Sequence, residues 1–205
     1  MASQSPAQVN VFGNPGFETG YEPWFSLEAP SFLVSEAFAH GGQSSAFLRM
    51  RAGPQAEKAK VFSLVQEVTP DQLPEVVSGN YLVAKWTRGT PLQYLQFVVI
   101  AFGAKNKPDG YPNHQIRYLM AGIDREPFRI DNARFVFLSR EDPPMNKWVP
   151  FQVNVRDDFR KLWGAVPEDY EKIRVLFEAR YDDKALGERP EADVYYDDLY
   201  FGPAK

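Results

Sequence analysis

Runs of alternating apolar and polar residues recur along this chain, and Gly, Pro and Asn separate them. The clearest run spans 173–181, where every odd position is apolar and where Arg174, Glu178 and Arg180 occupy even positions. Successive side chains of a strand point to opposite faces, so this run predicts one face in the core and one open face. The predicted core positions are Ile173, Val175, Phe177, Ala179 and Tyr181.

The same reasoning predicts a chain made mostly of strands. Residues 93–102 are apolar at both odd and even positions, which indicates a central strand covered on both faces or a strand whose open face is a ligand groove. A short helix is predicted at 157–164, with Asp157 as its N-cap and Gly164 at its end. Strands are predicted at 9–12, 32–37, 45–51, 60–68, 81–88, 93–102, 115–121, 133–140, 148–155, 173–181 and 193–201.

Composition narrows the class of protein. The 205 residues are 44% hydrophobic and 15% aromatic, which is enough for one domain with a sizeable core. Many short strands with turn residues between them favour an all-β domain, a β-sandwich of jelly-roll type. The formal net charge of −4 gives no electrostatic footprint for nucleic acid. The longest apolar run, at 97–102, is too short to cross a bilayer, so no membrane insertion is expected.

Two chemical classes are excluded or disfavoured by residue type. The chain has no cysteine, which removes disulfides, thiol nucleophiles and cysteine-based zinc sites. Its two histidines, His40 and His114, form no HExxH motif, and no GxSxG, GxGxxG or P-loop sequence occurs. Glu178 is the best single candidate for a general acid, but Arg174 and Arg180 beside it are expected to lower its pKa. An enzyme is therefore the less favoured reading.

Four short sequence motifs follow one another along the chain. They are NPGFETG at 14–20, GGQSSAFL at 41–48, GNYLVAKWTR at 79–88 and DVYYDDLYF at 193–201. Together they resemble motifs of carbohydrate-binding modules of the family 4/9/22 type. The resemblance implies a galactose-binding-like β-jelly roll that binds a polysaccharide without catalysis. It covers the two ends of the chain better than the middle, so one domain over 1–205 is expected, with an insertion (a hairpin or long loops) at 103–146.

The resemblance also implies a structural calcium ion between the N-terminal turn and the last strand. Ca²⁺ prefers carboxylate and carbonyl oxygens, and the matching positions supply both kinds. Carboxylates would come from Glu18 and Asp197, while Asp198 is expected on the opposite face of its strand. Backbone carbonyls would come from Gly16, His40 and Gln43. The predicted ligands are thus Gly16, Glu18, His40, Gln43 and Asp197. The alternative is that the two acids are ordinary surface residues near turns.

For sugar binding the resemblance implies a groove on a concave sheet, with aromatic rings for pyranose faces and planar polar groups for hydroxyls. The candidate ligand-binding residues are Trp86, Arg88, Tyr94, Gln96, Trp163, Arg174 and Glu178. Other interpretations remain open. Trp86 shares its strand face with Leu82, which suits a core position, and Trp163 can either cap the core or line a groove. The charged residues of 173–181 can also form a solvated ion-pair ladder.

The sequence thus predicts a non-catalytic glycan-binding module with a structural calcium ion. One alternative is a jelly-roll domain that binds a protein partner and no sugar, and another is a polysaccharide lyase or glycoside hydrolase. No signal peptide is visible at the start of the sequence. The resemblance nevertheless suggests an extracellular or periplasmic location, attached to or associated with a larger exported protein.

Overall fold

Ten strands and one helix follow one another in residues 9–105 and 110–204, the part of the chain that the computed structural model describes. The helix, α1, spans Val155–Trp163. The strands are β1 (Leu33–Ser35), β2 (Ser45–Arg51), β3 (Lys60–Val68), β4 (Val76–Thr87), β5 (Leu92–Phe102), β6 (Asn113–Ala121), β7 (Ala133–Phe137), β8 (Trp148–Asn154), β9 (Lys172–Asp182) and β10 (Glu191–Gly202).

The strands form two five-stranded sheets that face each other. The first sheet has the order β1-β2-β10-β4-β8 and the second has the order β3-β9-β5-β6-β7. Neighbouring strands are antiparallel except for β6 and β7, which are parallel. A parallel pair needs a crossover, and residues 122–132 provide it. We call this segment the covering connection. The predicted β-sandwich of jelly-roll type is confirmed.

The core lies between the two sheets and is rich in aromatic rings. The five odd positions of β9 that were predicted to face the core are fully buried, so the predicted inner face of this strand is confirmed. Phe177 is at the centre, with ring centroids 5.3 Å from Tyr196, 5.7 Å from Phe97 and 6.2 Å from Trp24. Such contacts between buried rings contribute beyond the area that they bury. The inner faces of both sheets therefore form one continuous core.

Several boundaries differ from the sequence prediction, among them β4, which begins at Val76, and β7, which ends at Phe137. Residues 9–12 form no strand, although the Val11 N–H donates to the Phe201 carbonyl at 2.8 Å. The first strand covers only Leu33–Ser35. The helix begins two residues earlier than predicted, because the Asn154 side chain accepts a hydrogen bond from the Asp157 N–H at 3.0 Å and is the N-cap. It ends at Gly164, whose φ of 78° is left-handed.

The middle of the chain, where an insertion was expected, contributes to the sandwich itself. Its described residues supply β6 and β7, which extend the second sheet beyond β5. These two strands run parallel, so they do not form a hairpin with each other. Within the described ranges, no helix is long and apolar enough to cross a membrane.

Candidate functional site

A group of polar and charged side chains occupies the outer face of the second sheet. Cross-strand partners share a face, and the register pairs Gln96 with Glu178 and Tyr94 with Arg180. Even-numbered positions of β9 lie outward because the odd ones fill the core. The group, which we call the outer-face cluster, consists of Tyr94 and Gln96 of β5, Arg117 of β6, and Glu178, Arg180 and Asp182 of β9.

Hydrogen bonds link most of the outer-face cluster. Gln96 Nε2 donates to Glu178 Oε2, and Arg180 Nη1 lies 3.5 Å from the same oxygen. Arg180 Nη2 donates to Asp182 Oδ1 at 2.8 Å. The Tyr94 hydroxyl donates to Asp182 Oδ2, also at 2.8 Å. Arg180 is therefore held between two carboxylates, and each carboxylate has a second polar partner.

One aromatic ring lies over the two arginines of the outer-face cluster. Phe128, in the covering connection, has its ring centroid 5.1 Å from the guanidinium carbon of Arg117 and 5.3 Å from that of Arg180. Cations at these distances are attracted to the face of an aromatic ring. Beneath this layer Gln96 is fully buried, and Glu178 is only 4% exposed. Phe128 therefore lies over both guanidinium groups of the cluster, and Phe135 and Phe137 of β7 pack against the apolar group that contains Tyr94.

Three buried polar atoms of the cluster have no hydrogen-bond partner among the described residues: Gln96 Oε1, Arg117 Nη1 and Arg180 Nε. A buried polar atom left without a partner costs about 1–3 kcal/mol. Native proteins keep few such atoms, and those that remain call for a specific cause, such as a functional role or a bound water. This cluster concentrates three of them on one small surface.

Burial and neighbouring charges act differently on the two arginines. Burial lowers the pKa of Arg180, but the adjacent Glu178 and Asp182 raise it by more, so its net direction is upward. Burial also lowers the pKa of Arg117, and there the more distant Glu178 does not fully offset it. Burial raises the pKa of the Tyr94 hydroxyl well above its ordinary value. The carboxylates therefore more than offset the effect of burial on Arg180 but only partly offset it on Arg117.

A second polar group lies further along the same face and is more exposed. Glu67 accepts hydrogen bonds from Lys172 Nζ at 2.9 Å and from Arg174 Nη2 at 2.6 Å. The Arg174 guanidinium carbon lies 4.9 Å from the ring centroid of Phe102. These contacts lower the pKa of Glu67, with the Lys172 hydrogen bond as the largest cause. The group forms a solvent-accessible rim beside the buried outer-face cluster.

Four of the predicted ligand-binding residues meet on this face: Tyr94, Gln96, Arg174 and Glu178. The structure places the other three elsewhere. Trp86 is half-buried against the main core. Arg88 is exposed beyond the end of β4, where it donates to the Gly122 carbonyl and to Asp142.

Trp163 is the third residue that lies away from the outer-face cluster. It is 6% exposed in the core, with the Arg134 guanidinium carbon 3.8 Å from its ring centroid. The His114 ring meets it edge-on at 4.8 Å. Of the two open interpretations of Trp163, the structure favours the core cap.

Arg117, Asp182 and Phe128 join the site without having been selected as ligand-binding residues. Arg117 had a usable signal, since it is the one charged residue of the otherwise apolar segment 116–121. Phe128 had none. The covering connection shows no strand or helix periodicity, and its position over the sheet depends on the parallel pairing of β6 with β7.

At the other predicted site, Asp197 is buried and bound to a turn. Its Oδ2 accepts the N–H groups of His40 at 2.7 Å and of Gly41 at 3.0 Å, and its Oδ1 accepts that of Asp198 at 2.7 Å. Burial raises the pKa of Asp197, and these three hydrogen bonds partly oppose the shift. Asp198 points away and lies 2.6 Å from His40 Nδ1.

Glu18 holds the other half of the same turn. Its Oε1 accepts the N–H groups of Gln43 and Ser44, each at 2.9 Å. Gly42 has a left-handed φ of 64°, and a Cβ there would meet the Glu18 carboxylate, so the position favours glycine. The N-terminal turn, the turn at 40–44 and the last strand are thereby joined through two carboxylates.

The residue types at this junction fit a calcium ion. A Cβ on Gly16 would lie 3.5 Å from Asp197 Oδ1 and 3.9 Å from Glu18 Cγ, so both acids approach the same glycine. Two carboxylates and nearby backbone carbonyls are the oxygen donors that Ca²⁺ uses. His40 and Gln43, however, direct N–H groups to the acids. Among the described residues no three His, Cys, Asp or Glu side chains group as a metal site.

The two-sheet architecture is that of β-sandwich carbohydrate-binding modules. The chain is similar to the CBM22-1 xylan-binding domain of Xyn10C from Paenibacillus barcinonensis, at 14% identity over 98% of this chain and 100% of that one, with a TM-score of 0.50. A chain from a study of promiscuous specificity in carbohydrate-binding modules of the β-sandwich superfamily is 11% identical over 94% of this chain and 62% of that one, with a TM-score of 0.52.

A third similar structure belongs to a different class of protein. The enzymatically active domain of tailspike protein 4 from bacteriophage CBA120 is 9% identical over 95% of this chain but only 21% of that one, with a TM-score of 0.50. No protein-family model and no curated protein matches the sequence. At these identities the comparisons show the fold alone. At that level the resemblance to carbohydrate-binding modules is confirmed.

Proposed function

We propose that this chain binds a glycan without catalysis, on the outer face of the second sheet. The observation that carries the proposal is the outer-face cluster, where Gln96, Arg117 and Arg180 each keep a buried polar atom without a partner. Hydroxyl-rich ligands present many donors and acceptors that can satisfy such atoms. The fold shared with carbohydrate-binding modules supports the same assignment.

Glycan contact is expected to begin at the exposed rim. Arg174 and Glu67 offer planar polar groups there, and Phe102 offers a half-buried ring beside them. Planar side chains match pairs of sugar hydroxyls, and a ring packs against the apolar face of a pyranose. The outer-face cluster becomes available when Phe128 moves aside. A glycan that binds at the rim and reaches the outer-face cluster would therefore also displace Phe128 of the covering connection.

Affinity electrophoresis and calorimetry with a panel of polysaccharides, including xylan and β-1,4-galactan, test the proposal. Wild-type protein should be retarded by at least one glycan. Arg174→Ala should weaken binding about tenfold or more, the loss expected for a hydrogen bond to a charged group. Arg49→Ala is the matched control, because Arg49 is an exposed arginine beside the Phe47 ring on the opposite sheet. Absence of binding to every glycan would contradict the proposal.

Removing the covering ring tests the role of Phe128. Phe128→Ala should bind the same glycan several-fold more tightly, because the ligand no longer displaces the ring to reach the outer-face cluster. Phe38→Ala is a suitable control, since Phe38 is 38% exposed and contacts Tyr195 on the other sheet. Weaker binding by Phe128→Ala would instead show that the ring stacks on the sugar.

We also propose a structural calcium ion at the junction of the chain ends. Glu18 and Asp197 would hold it together with the Gly16 carbonyl, and the ion would neutralise two neighbouring carboxylates. Thermal unfolding should occur at a higher temperature with Ca²⁺ than with a chelator, and Asp197→Asn should abolish the difference. Asp193→Asn, in the Arg51 ion pair four residues away, should preserve it. An equal melting temperature of wild-type protein in both buffers would refute the ion.

The proposed setting is an extracellular or periplasmic one, within or beside a larger exported protein. The similarity to a domain of Xyn10C supports a place within a larger protein. Detection of the chain in the exported fraction of its source organism would test it, and confinement to the cytoplasm would contradict it.

A further inference from the structure

The charges on the outer face of the second sheet are not fully balanced within the described residues. Lys172 and Arg174 share Glu67 at 2.9 and 2.6 Å. Arg180 lies between Glu178 at 3.5 Å and Asp182 at 2.8 Å. Each of these three cations therefore has a carboxylate within ion-pair distance.

Arg117 differs from these cations. Its Nε donates to a neutral acceptor, Gln115 Oε1, at 3.0 Å. Among the described residues, no carboxylate lies within ion-pair distance of its guanidinium, and its buried Nη1 has no hydrogen-bond partner. The ring of Phe128 contacts the guanidinium but carries no charge. Arg117 is thus a half-buried cation without a carboxylate in ion-pair contact, and Glu178 offsets only part of the effect of its burial.

Such an arrangement is costly in a protein without a ligand. A buried charge loses its hydration, and a ring or an amide replaces only part of it. Ion pairs already occupy Glu178 and Asp182, so they are poorly placed to serve Arg117. A ligand that brings its own negative charge would remove the cost. The guanidinium also has the planar fork that binds carboxylate and sulfate oxygens in pairs.

We infer that the glycan carries an anionic group, the carboxylate of a uronic acid or a sulfate ester, and that Arg117 binds this group. This inference rests on the proposed function and names the substrate class of the same site. A neutral glycan would leave Arg117 without an ion-pair partner. An acidic glycan would pair with it directly, in the space that Phe128 covers.

Matched polysaccharide pairs test the inference. Polygalacturonate is compared with its methyl ester, glucuronoxylan with its carboxyl-reduced form, and dextran sulfate with dextran, each by calorimetry with wild-type protein. The acidic member of at least one pair should bind about tenfold or more tightly than its neutral counterpart, the range expected for a charge-assisted hydrogen bond. The advantage should shrink at high salt. The pair that shows it identifies carboxylate or sulfate as the group.

Variants assign the effect to Arg117. Arg117→Gln should bind the acidic and the neutral member equally, while Arg49→Gln should keep the preference of the wild type. Arg117→Lys should show an intermediate preference, because it keeps the charge and loses the planar fork. Folding of each variant is checked by near-ultraviolet circular dichroism. The wild-type comparison needs no variant, so it remains decisive if Arg117→Gln fails to fold.

The outcomes separate this inference from the proposal on which it rests. Equal binding of charged and neutral members would overturn the anionic preference and leave glycan binding intact. A preference that survives in folded Arg117→Gln would overturn the assignment to Arg117. No binding to any polysaccharide would overturn both.

Discussion

The two faces of the second sheet are both withdrawn from water, but by opposite means. On the inner face Phe97 stacks on Tyr118 with centroids 4.5 Å apart, and Phe177 packs against rings from both sheets. On the outer face Gln96 and Glu178 are as deeply buried, yet their neighbours are charges and one covering ring. The first face is covered by a whole sheet, and the second by the covering connection and the rings of β7. That difference separates a surface built for stability from one suited to binding.

Part of the outer face is covered by apolar residues instead of charges. Val65, Val98 and Leu176 form a small buried cluster on the same side of the sheet. Replacing a buried ion pair with apolar residues of similar volume is often neutral or stabilising. If stability were the only requirement, apolar residues could therefore extend this cluster across β5 and β9. The outer-face cluster interrupts it instead, which agrees with a role in recognition.

The largest effect is expected on the inner face. Phe177→Ala should lower the free energy of unfolding by about 3–5 kcal/mol, because it opens a cavity among rings that cannot close around it. Urea unfolding followed by tryptophan fluorescence measures this loss. Leu176→Ala, at the neighbouring outward position, should cost less, because it removes fewer carbon atoms from a much smaller apolar cluster. Equal losses would show that the outer face is as firmly packed as the core.

A smaller but diagnostic effect is expected from Arg180→Met. The change leaves Glu178 and Asp182 without their cation and should destabilise the protein by roughly 3 kcal/mol. The double variant Glu178→Met/Arg180→Met should recover much of that loss, because the remaining Asp182 keeps its hydrogen bond from Tyr94. Unfolding of both variants and of Glu178→Met completes a double-mutant cycle. Additive losses would contradict coupling between the two charges.

Sequence reasoning predicted the inner face well because its signal is local. The alternation in 173–181 assigns each residue of β9 to a face before any partner strand is known. The outer-face cluster was only half visible. Tyr94, Gln96, Arg174 and Glu178 were selected as separate residues, but their meeting depends on the register of β5 with β9, which only the folded sheet fixes.

The remaining features depend on contacts still further apart in the chain. Phe128 reaches the site through a crossover whose sequence has no periodicity. Trp86 and Trp163 look like binding aromatics in sequence, yet both pack against the core. For the helix, Asn154 and Asp157 are both capable caps, and hydrogen bonding selects the earlier one. Residue type alone does not distinguish these outcomes.

The ionisation of two buried tyrosines compares how well the two faces exclude water. The Tyr94 hydroxyl on the outer face donates to Asp182, and the Tyr118 hydroxyl on the inner face donates to Asp158 at 3.0 Å. Burial is the largest cause that raises the pKa of each above its ordinary value. Unfolded tyrosines ionise near pH 10, so stability should be full below that pH. It should fall above it by about 1.4 kcal/mol per pH unit for each tyrosine.

Urea unfolding between about pH 8 and 11 measures this decline. Tyr94→Phe and Tyr118→Phe should each make the alkaline loss less steep, because each removes one group that must stay protonated in the fold. Equal changes would show that both faces exclude water equally. A change with Tyr118→Phe alone would show that the covering connection opens often enough to let Tyr94 ionise.

The smallest effect is expected at the exposed rim. The pKa of Glu67 is lowered, chiefly by its hydrogen bond from Lys172. Its contribution to folding stability is therefore fully present above the unfolded pKa and is lost as the pH falls through the folded pKa. Glu67→Gln should therefore reduce stability by less than about 1 kcal/mol near neutral pH and should flatten the acid limb below about pH 4.5. Thermal melts from acid to neutral pH measure both. An acid limb as steep as that of the wild type would mean that water and salt already screen this ion pair, and that the rim, unlike the buried cluster beside it, holds its charges in contact with solvent.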